Sequence, residues 1–508
     1  MIFQEMSGDC APSVNAVTIN LSKITMLCGV LLVSTTVTHA AVEPSLLGEV
    51  EEKSTPSVAL RVPTLAAPTT GIFEQSERKL GEAILRAVRA QMPIFDDPWT
   101  QDELRAVFER ISAQAAMPTP VGLEMIRDDQ INAFAVPGGM IAINTGLILQ
   151  ANEMDEVAGV LAHEVAHVSQ KHFSRRSEEL KYDKWLSVGG MLAGMLITKQ
   201  DQDIGSAVVT GVQAATASRQ LAYSRDHERE ADRLGMELMR VSGYSPHAMA
   251  SFFEVMQKKQ GALGFLPDFV LTHPLTQERI SEARARASAY PVQASSPQAI
   301  QQFRRLQGRV AALLGRTSVA TLKPAAAQGD AAAQISLATV YRLSRQFALA
   351  RQTITPLLQQ SPDDVLVHLV AAEIEFDDGQ YAKARQLIAP LTQAMPEQRA
   401  LQLMLARVDS KQGQVDAALT RLNALAQRFP RDVVVWEQLL TIAYQLPDTS
   451  HKTLEILRYR AESQFWQGQM DQAIVSLERA VKLSTDQAQR NQLQIRIDEM
   501  RADRKIKV

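Results

Sequence analysis

From Glu74 onward the hydrophobic positions change period along the chain, and each change marks an element. Leu80, Ile84 and Val88, flanked by Ala83 and Ala87, recur at steps of three and four residues, which predicts an amphipathic helix from about Glu74. Thr100 followed by Glu103 forms a capping box for a second helix running toward Ala115. Period two then takes over: Val121 to Ile126, Ile131 to Val136 and Met140 to Ile143 read as short strands, with Pro137-Gly138-Gly139 as a hairpin turn. A helical stretch from Glu153 to about His172 follows. Asn152 is its expected cap, and Glu153, Asp155 and Glu156 fill its first turn, where the dipole favours negative charge. Residues 186–222, rich in Gly, Ala, Met and Val, read either as a buried helix or as a segment that touches lipid. Their apolar core of about twelve residues is too short to span a bilayer.

Past Pro291, Ser295, Ser296 and Pro297, which mark a boundary, a longer period appears. Pro362, Pro396 and Pro430 are 34 residues apart, as are Ala350, Ala384 and Ala418, and Ala338, Ala372 and Ala406, with Gly379 and Gly413 in step. That pattern resembles the tetratricopeptide repeat. Small residues let paired helices approach closely, and the proline stops the second helix. Ala461, Gly468, Ala473 and Ala480 form another unit, but Ala473 lies 55 residues after Ala418, so an insertion breaks the register near Trp436. About four repeats from Ala331 to Asp486 are expected. Such a solenoid offers a concave surface to a peptide or protein and carries no chemistry of its own.

Composition changes the picture first at the N-terminus. Ile24 to Val37 is apolar or small and uncharged, preceded by Lys23 and followed by Thr38-His39-Ala40-Ala41, the pattern of a signal peptide cleaved after Ala40. Residues 41–70, with Pro44, Pro56, Pro63 and Pro68, read as a flexible leader. The chain's 2 cysteines, Cys10 and Cys28, both fall inside the signal. The exported chain therefore has no disulfide framework and no thiolate metal site, so any metal must be held by His and carboxylates. With 53 Lys+Arg against 56 Asp+Glu, the charge balance gives no support for nucleic-acid binding.

The chemistry centres on His163-Glu164-Val165-Ala166-His167. Positions i and i+4 share a helix face, so both imidazoles can reach one metal, with Glu164 beside the water it activates. Apolar Gly159, Val160, Ala162 and Ala166 bury this helix. A catalytic zinc needs three protein ligands and an open position. The run His227-Glu228-Arg229-Glu230-Ala231-Asp232 offers the third. With Glu228 at zero, Ala231, Gly235, Leu238 and Met239 lie within about 80°, whereas Glu230 points near 200° with Arg233 and Glu237. This phase puts Glu228 on the buried face and Glu230 on the solvated one. Asp232, one turn on, is set either to orient a histidine ligand or to pair with Arg225 or Arg229. His227 is an outside candidate for a ligand.

The HEVAH helix and the EREAD helix, whose Glu228 follows His167 by 61 residues, resemble the zinc peptidase family that includes the CAAX prenyl protease and HtpX. The resemblance implies one zinc ion per chain on His163, His167 and Glu228, with Glu164, His273 and Asp232 as the residues that act in catalysis. Asn132-Ala133-Phe134-Ala135 resembles the family's edge strand beside the zinc, where an extended substrate adds as a strand. A plain core hairpin fits the same alternation. Leu271-Thr272-His273-Pro274 and Arg279 also match the family pattern. His273 is expected at the open zinc position or the oxyanion, where it would plug the site, and Asp232 and Arg279 are expected to orient the ligands.

The implied fold is α+β and mainly helical. A zincin-like metallopeptidase domain with a small β-hairpin or sheet at 71–290 is followed by an α-solenoid of tetratricopeptide repeats at 300–508. With the export signal, the resemblance implies a periplasmic endopeptidase and chaperone, peripheral to the outer membrane, with no nucleic-acid partner and no transmembrane span once exported. Its expected partners are unfolded or misassembled outer-membrane proteins and, through the repeats, the outer-membrane β-barrel assembly machinery. The rival reading is a repeat-based chaperone or scaffold of that machinery with latent proteolysis.

Overall fold

Leu80, Ile84, Leu85 and Val88 turn one face of α1 (Gly71–Gln91) into the core, as their spacing requires. The structure is a computed structural model that describes residues 71–115, 117, 119–173, 175, 224–263 and 268–506, all within one unit, Leu60–Val508. The export signal, the leader and the 186–222 segment lie outside the described residues. Helix α2 (Pro98–Ser112) starts differently from the expected capping box. Its cap is Asp97, whose carboxylate accepts from Thr100 N at 3.1 Å and Thr100 Oγ1 at 2.6 Å. Pro98 takes the first helical position, where a missing N–H costs nothing.

Strands β1 (Gly122–Ile126), β2 (Ala133–Val136) and β3 (Met140–Asn144) form one sheet in the order β1-β3-β2. The β2–β3 pair is the antiparallel hairpin, and β1 runs parallel to β3. The hairpin loop is three residues long, Pro137-Gly138-Gly139: Gly139 N donates to Val136 O at 3.2 Å, and Gly138 and Gly139 take left-handed φ values of 83° and 71° that glycine adopts freely. In this order β2 stands at an edge of the sheet.

A short α3 (Thr145–Gln150) leads into α4 (Met154–Ser169), which is almost wholly buried from Glu156 to His167. Asn152 is not its cap. Its backbone N–H and Nδ2 donate to the Glu156 carboxylate at 2.7 and 3.0 Å, and Glu153 holds the cap position. The helix also ends at Ser169, short of His172, because Lys171 adopts φ 54°. That left-handed residue ends the helix as a glycine usually would, and it sends His172 back toward the helix. Helix α5 (Arg225–Val241) packs on α4 with Glu228, Ala231, Asp232, Gly235, Leu238 and Met239 buried. A Cβ on Gly235 would meet His163 N at 3.2 Å, so this glycine permits the close crossing that brings the α5 carboxylates to His163. Helices α6 (His247–Leu263), α7 (Asp268–Thr272) and α8 (Gln277–Ala287) complete this half.

The second half begins with α9 (Pro297–Leu313) and α10 (Val319–Ala327). Three pairs follow: α11 (Ala331–Leu343) with α12 (Phe347–Gln360), α13 (Val365–Asp377) with α14 (Tyr381–Ala394), and α15 (Arg399–Lys411) with α16 (Val415–Arg428). Ala338, Ala372, Ala406, Ala350, Ala384 and Ala418 are all 0% exposed, the close helix contacts that their period implies. Then come α17 (Val433–Ala443), α18 (Ser450–Trp466), α19 (Met470–Leu483) and α20 (Gln487–Arg504). Helix α18 packs against both α17 and α19. It closes one pair and opens the next, which accounts for the break in register.

The two halves share a core. One apolar cluster runs from Phe95 on the first half to Val408 in the repeats. Two buried arginines lock the seam at the start of α2. Arg309 Nε and Nη2 donate to Asp97 at 2.8 and 2.7 Å and Nη2 reaches Glu373 at 2.8 Å. Arg399 donates to Asp102 at 2.7 Å, to Pro98 O at 3.1 Å and to Asp432. The tie from Arg309 explains why Asp97, and not Thr100, governs the start of α2. Among the described residues no helix is long and apolar enough to cross a membrane.

Candidate metal centre

Helix α4 presents His163 and His167, α5 presents Glu228, and His273 follows directly on α7. One ligand atom from each of these four buried residues lies within 4.8 Å of all the others. His163 Nε2 is 3.0 Å from His167 Nε2 and 3.3 Å from His273 Nδ1. Glu228 Oε1 is 3.1 Å from His273 Nδ1 and 3.5 Å from His167 Nε2. Three imidazoles and a carboxylate that converge lone pairs in a buried space make a donor set suited to a divalent ion of the zinc kind.

The electrostatics point the same way. Burial alone would lower the His163 pKa, but the carboxylates of Asp232 and Glu228 overcome it and push it up to about 9. His167 is held well below the ordinary range by burial and by the His163 charge. Burial would raise Glu228, yet His273 and Arg279 bring it well below the usual carboxylate range.

Asp232 Oδ1 lies 3.0 Å from His163 Nδ1, so it faces the nitrogen turned away from the cluster. Its cation is Arg279, which donates from Nε and Nη2 to both carboxylate oxygens at 2.8 Å. Arg225 and Arg229 do not take that place, and Arg229 bonds Glu278 at 2.5 Å instead. Arg279 Nη1 also lies 2.7 Å from Glu228 Oε2 and donates to Pro274 O at 2.9 Å. One buried guanidinium thus ties the α5 carboxylates to the turn that carries His273.

Glu164 is 0% exposed, and burial raises its pKa against the pull of His273 and His163. Its Oε1 stands 3.4 Å from His273 Nε2, and the Ala135 backbone lies beside the same carboxylate. The residues 132–135 are all buried. Ala133 and Ala135 turn toward the larger core, where β2 meets α4, while Phe134 and Val136 pack with Leu80, Ile84 and Val88 of α1. Two small cavities, about 20 Å³ beside His167 and about 10 Å³ beside Glu228, touch the cluster.

Glu230 departs from the position that helical phase predicts. Glu230 does not point into solvent, since its Oε2 lies 3.0 Å from His172 Nε2 and 3.2 Å from Arg175 Nη1. His172 is 0% exposed, and its Nδ1 is 2.8 Å from His167 Nδ1. Burial lowers its pKa to about 4 despite Glu230. His227 is buried but lies outside the four-residue cluster, with its ring stacked on His172 at 4.5 Å and 17°. The signal for His172 was its place five residues after His167, which becomes informative only once Lys171 is known to end the helix.

Comparison with known proteins agrees with this architecture. Residues 98–287 match the model of peptidase family M48, and residues 375–441 match the tetratricopeptide repeat. The match to family M48 thus covers the first half's α2 to α8, and the match to the repeats lies within the second half. It is 30% identical over 314 residues to the β-barrel assembly-enhancing protease of Yersinia pestis, covering 59% of this chain and 63% of that one. To the same-named protein of Escherichia coli (strain K12) it is 29% identical over 320 residues, with 61% and 65% covered. The mitochondrial metalloendopeptidase OMA1 of Schizosaccharomyces pombe is 31% identical over 158 residues, 31% of this chain and 44% of that one. The chain thus spans about 63 to 65% of the length of the bacterial relatives it matches.

Proposed function

We propose that this chain is an exported zinc endopeptidase that hydrolyses peptide bonds of misassembled envelope and outer-membrane proteins and assists β-barrel assembly. The observation that carries the reading is the convergence of His163, His167, Glu228 and His273 beside the buried carboxylate of Glu164. In this reading His163, His167 and Glu228 hold the ion. Zinc in such a set supplies Lewis acidity and lowers the pKa of water toward about 7. Glu164 takes the proton of the attacking water and passes it to the leaving amine, for which a buried carboxyl of raised pKa is suited. Asp232 orients His163, and Arg279 holds Asp232 and Glu228 in register. A substrate strand adds along Asn132-Ala133-Phe134-Ala135, at the sheet edge next to α4.

His273 would offer the fourth donor in this reading and would close the site to substrate while it does so. Its burial at 1% exposure favours a second reading, a repeat-based chaperone or scaffold with latent proteolysis. The names of the bacterial relatives support an envelope setting, the periplasm, with outer-membrane proteins and their assembly machinery as partners. The repeats supply the surface for them.

Zinc content and cleavage of an unfolded model substrate by wild type and Glu164→Gln test the proposal. The variant should keep its zinc and lose about 10²- to 10⁴-fold in rate. A wild-type protein without zinc overturns the mechanism. Restoration of envelope integrity by Glu164→Gln in a deletion strain would make the chaperone role the main one. His273→Ala should raise basal cleavage, and unchanged basal and substrate-stimulated rates would dismiss the plug.

A further inference from the structure

Helix α5 carries carboxylates at every second position, Glu228, Glu230 and Asp232, and each ends at a different distance from the α4 histidines. Glu228 joins the cluster itself, and Asp232 lies 3.0 Å from His163 Nδ1. Glu230 reaches His167 only through an intervening ring: its Oε2 is 3.0 Å from His172 Nε2, and His172 Nδ1 is 2.8 Å from His167 Nδ1. We infer that His172 and Glu230 are positioning residues that hold His167 in the tautomer and orientation needed to bind the metal, an inference that rests on the zinc peptidase reading.

The proton assignment is closed by chemistry. A histidine that offers Nε2 to a metal carries its proton on Nδ1 and must donate it. His167 Nε2 faces the cluster, 3.0 Å from His163 Nε2, so His167 Nδ1–H donates to His172 Nδ1. His172 then carries its proton on Nε2 and donates it to the Glu230 carboxylate. Every donor in the chain meets an acceptor, and the negative charge rests at its end, where Arg175 Nη1 lies 3.2 Å away. The His227 ring, stacked at 4.5 Å, fixes the plane of His172. A histidine kept only to fill space would not need both ring nitrogens aligned between a ligand and a carboxylate. The two α4 histidines are therefore served by one helix in two ways, His163 directly by Asp232 and His167 through a relay. The relay exists because Lys171, at φ 54°, returns the chain so that His172 stands between His167 and Glu230.

The test uses the full chain and measures zinc affinity by chelator competition, with the visible spectrum of the cobalt-loaded protein as a second readout. His172→Phe keeps the ring and its stacking but removes both hydrogen bonds. It should weaken zinc 10- to 100-fold and alter the cobalt spectrum, as loss of an outer partner of a ligand does. His172→Gln, which can accept from one side and donate to the other, should recover part of that loss. Glu230→Ala should weaken zinc in the wild-type background and add nothing on top of His172→Phe, since both act through one path. Wild-type affinity and spectrum in His172→Phe, or independent losses in the double variant, would overturn the relay while leaving the metal reading intact. If His172→Phe does not fold, Glu230→Gln decides the matter, because it changes one atom of a partly exposed side chain, and wild-type affinity there overturns the relay. A wild-type protein that binds neither zinc nor cobalt would overturn the metal reading and the relay together.

Discussion

Two regions of this molecule bury several charges together, and they balance them by different means. At the seam between α2 and the repeats, Arg309 and Arg399 place guanidiniums among Asp97, Glu373, Asp102 and Asp432, so cation and anion come from the same chain. At the candidate metal centre, Glu228 and Asp232 pair with Arg279 and with His163 and His273, and Glu164 lies beside His273. The seam pairs each carboxylate with a guanidinium, whereas the centre turns three imidazoles and a carboxylate toward one another, a donor set that could hold an ion. The comparison separates a charged cluster that joins two halves of a fold from one whose donors converge on a common point.

The largest effect that tests this contrast is at the seam. Arg309→Met strands Asp97 and Glu373 without their cation and should cost about 3–5 kcal/mol in urea unfolding, since breaking one side of a buried ion pair leaves an uncompensated charge. Added zinc should not restore the loss, and a cost below about 1 kcal/mol would show that the seam does not depend on this balance.

At the centre the sign is reversed. Zinc at a hundred times its dissociation constant should stabilise the wild type by about 2.7 kcal/mol. Glu228→Ala should abolish that gain and Arg309→Met should keep it, as thermal shifts with and without a chelator would reveal.

Acid should then distinguish the seam from the rest of the surface. Burial would raise Asp97 and Glu373, but Arg309 holds both below the usual carboxylate range. A lowered folded pKa means that their contribution is whole above the unfolded values of about 4 and is lost as pH falls through the folded ones. Wild-type urea midpoints should therefore hold from pH 7 to 5 and drop below about pH 4, and the drop should be shallower in Arg309→Met.

The smallest effect lies in the solenoid. Arg345 stands 34 residues before Gly379 and takes φ 59° at the turn where Gly379 takes 77° and Gly413 takes 78°. Arg345→Gly should stabilise the chain by about 1 kcal/mol, the cost of a left-handed residue with a side chain. A destabilised variant would mean that the Arg345 side chain contributes more than its backbone costs.

The solenoid was the most legible part, because the same environment returns at a fixed interval and the same small residue answers it each time. Its break at Ala473 was visible, but that α18 serves two pairs was not, since pairing depends on which helix lies nearest in space. In the first half, helical phase correctly put Glu228 and Asp232 on the buried side. The same reasoning failed for Glu230, because phase describes direction from one helix axis and says nothing of a segment that folds back to meet the other side. The cap of α2 departs from the Thr100–Glu103 box for a related reason: Asp97 takes the cap, and the Arg309 that holds it is 212 residues away.

The sequence by itself determined what is set by local period and spacing: the repeat, the paired histidines one helical turn apart, and the glycine pair of the hairpin. Tertiary structure decided the partners of charge. Which carboxylate meets Arg279, how Glu230 reaches His167 through His172, and where Arg309 is buried all depend on contacts between distant segments. Charge interactions are long in sequence and short in space, so the residues that complete them carry no local signature until the fold brings them together.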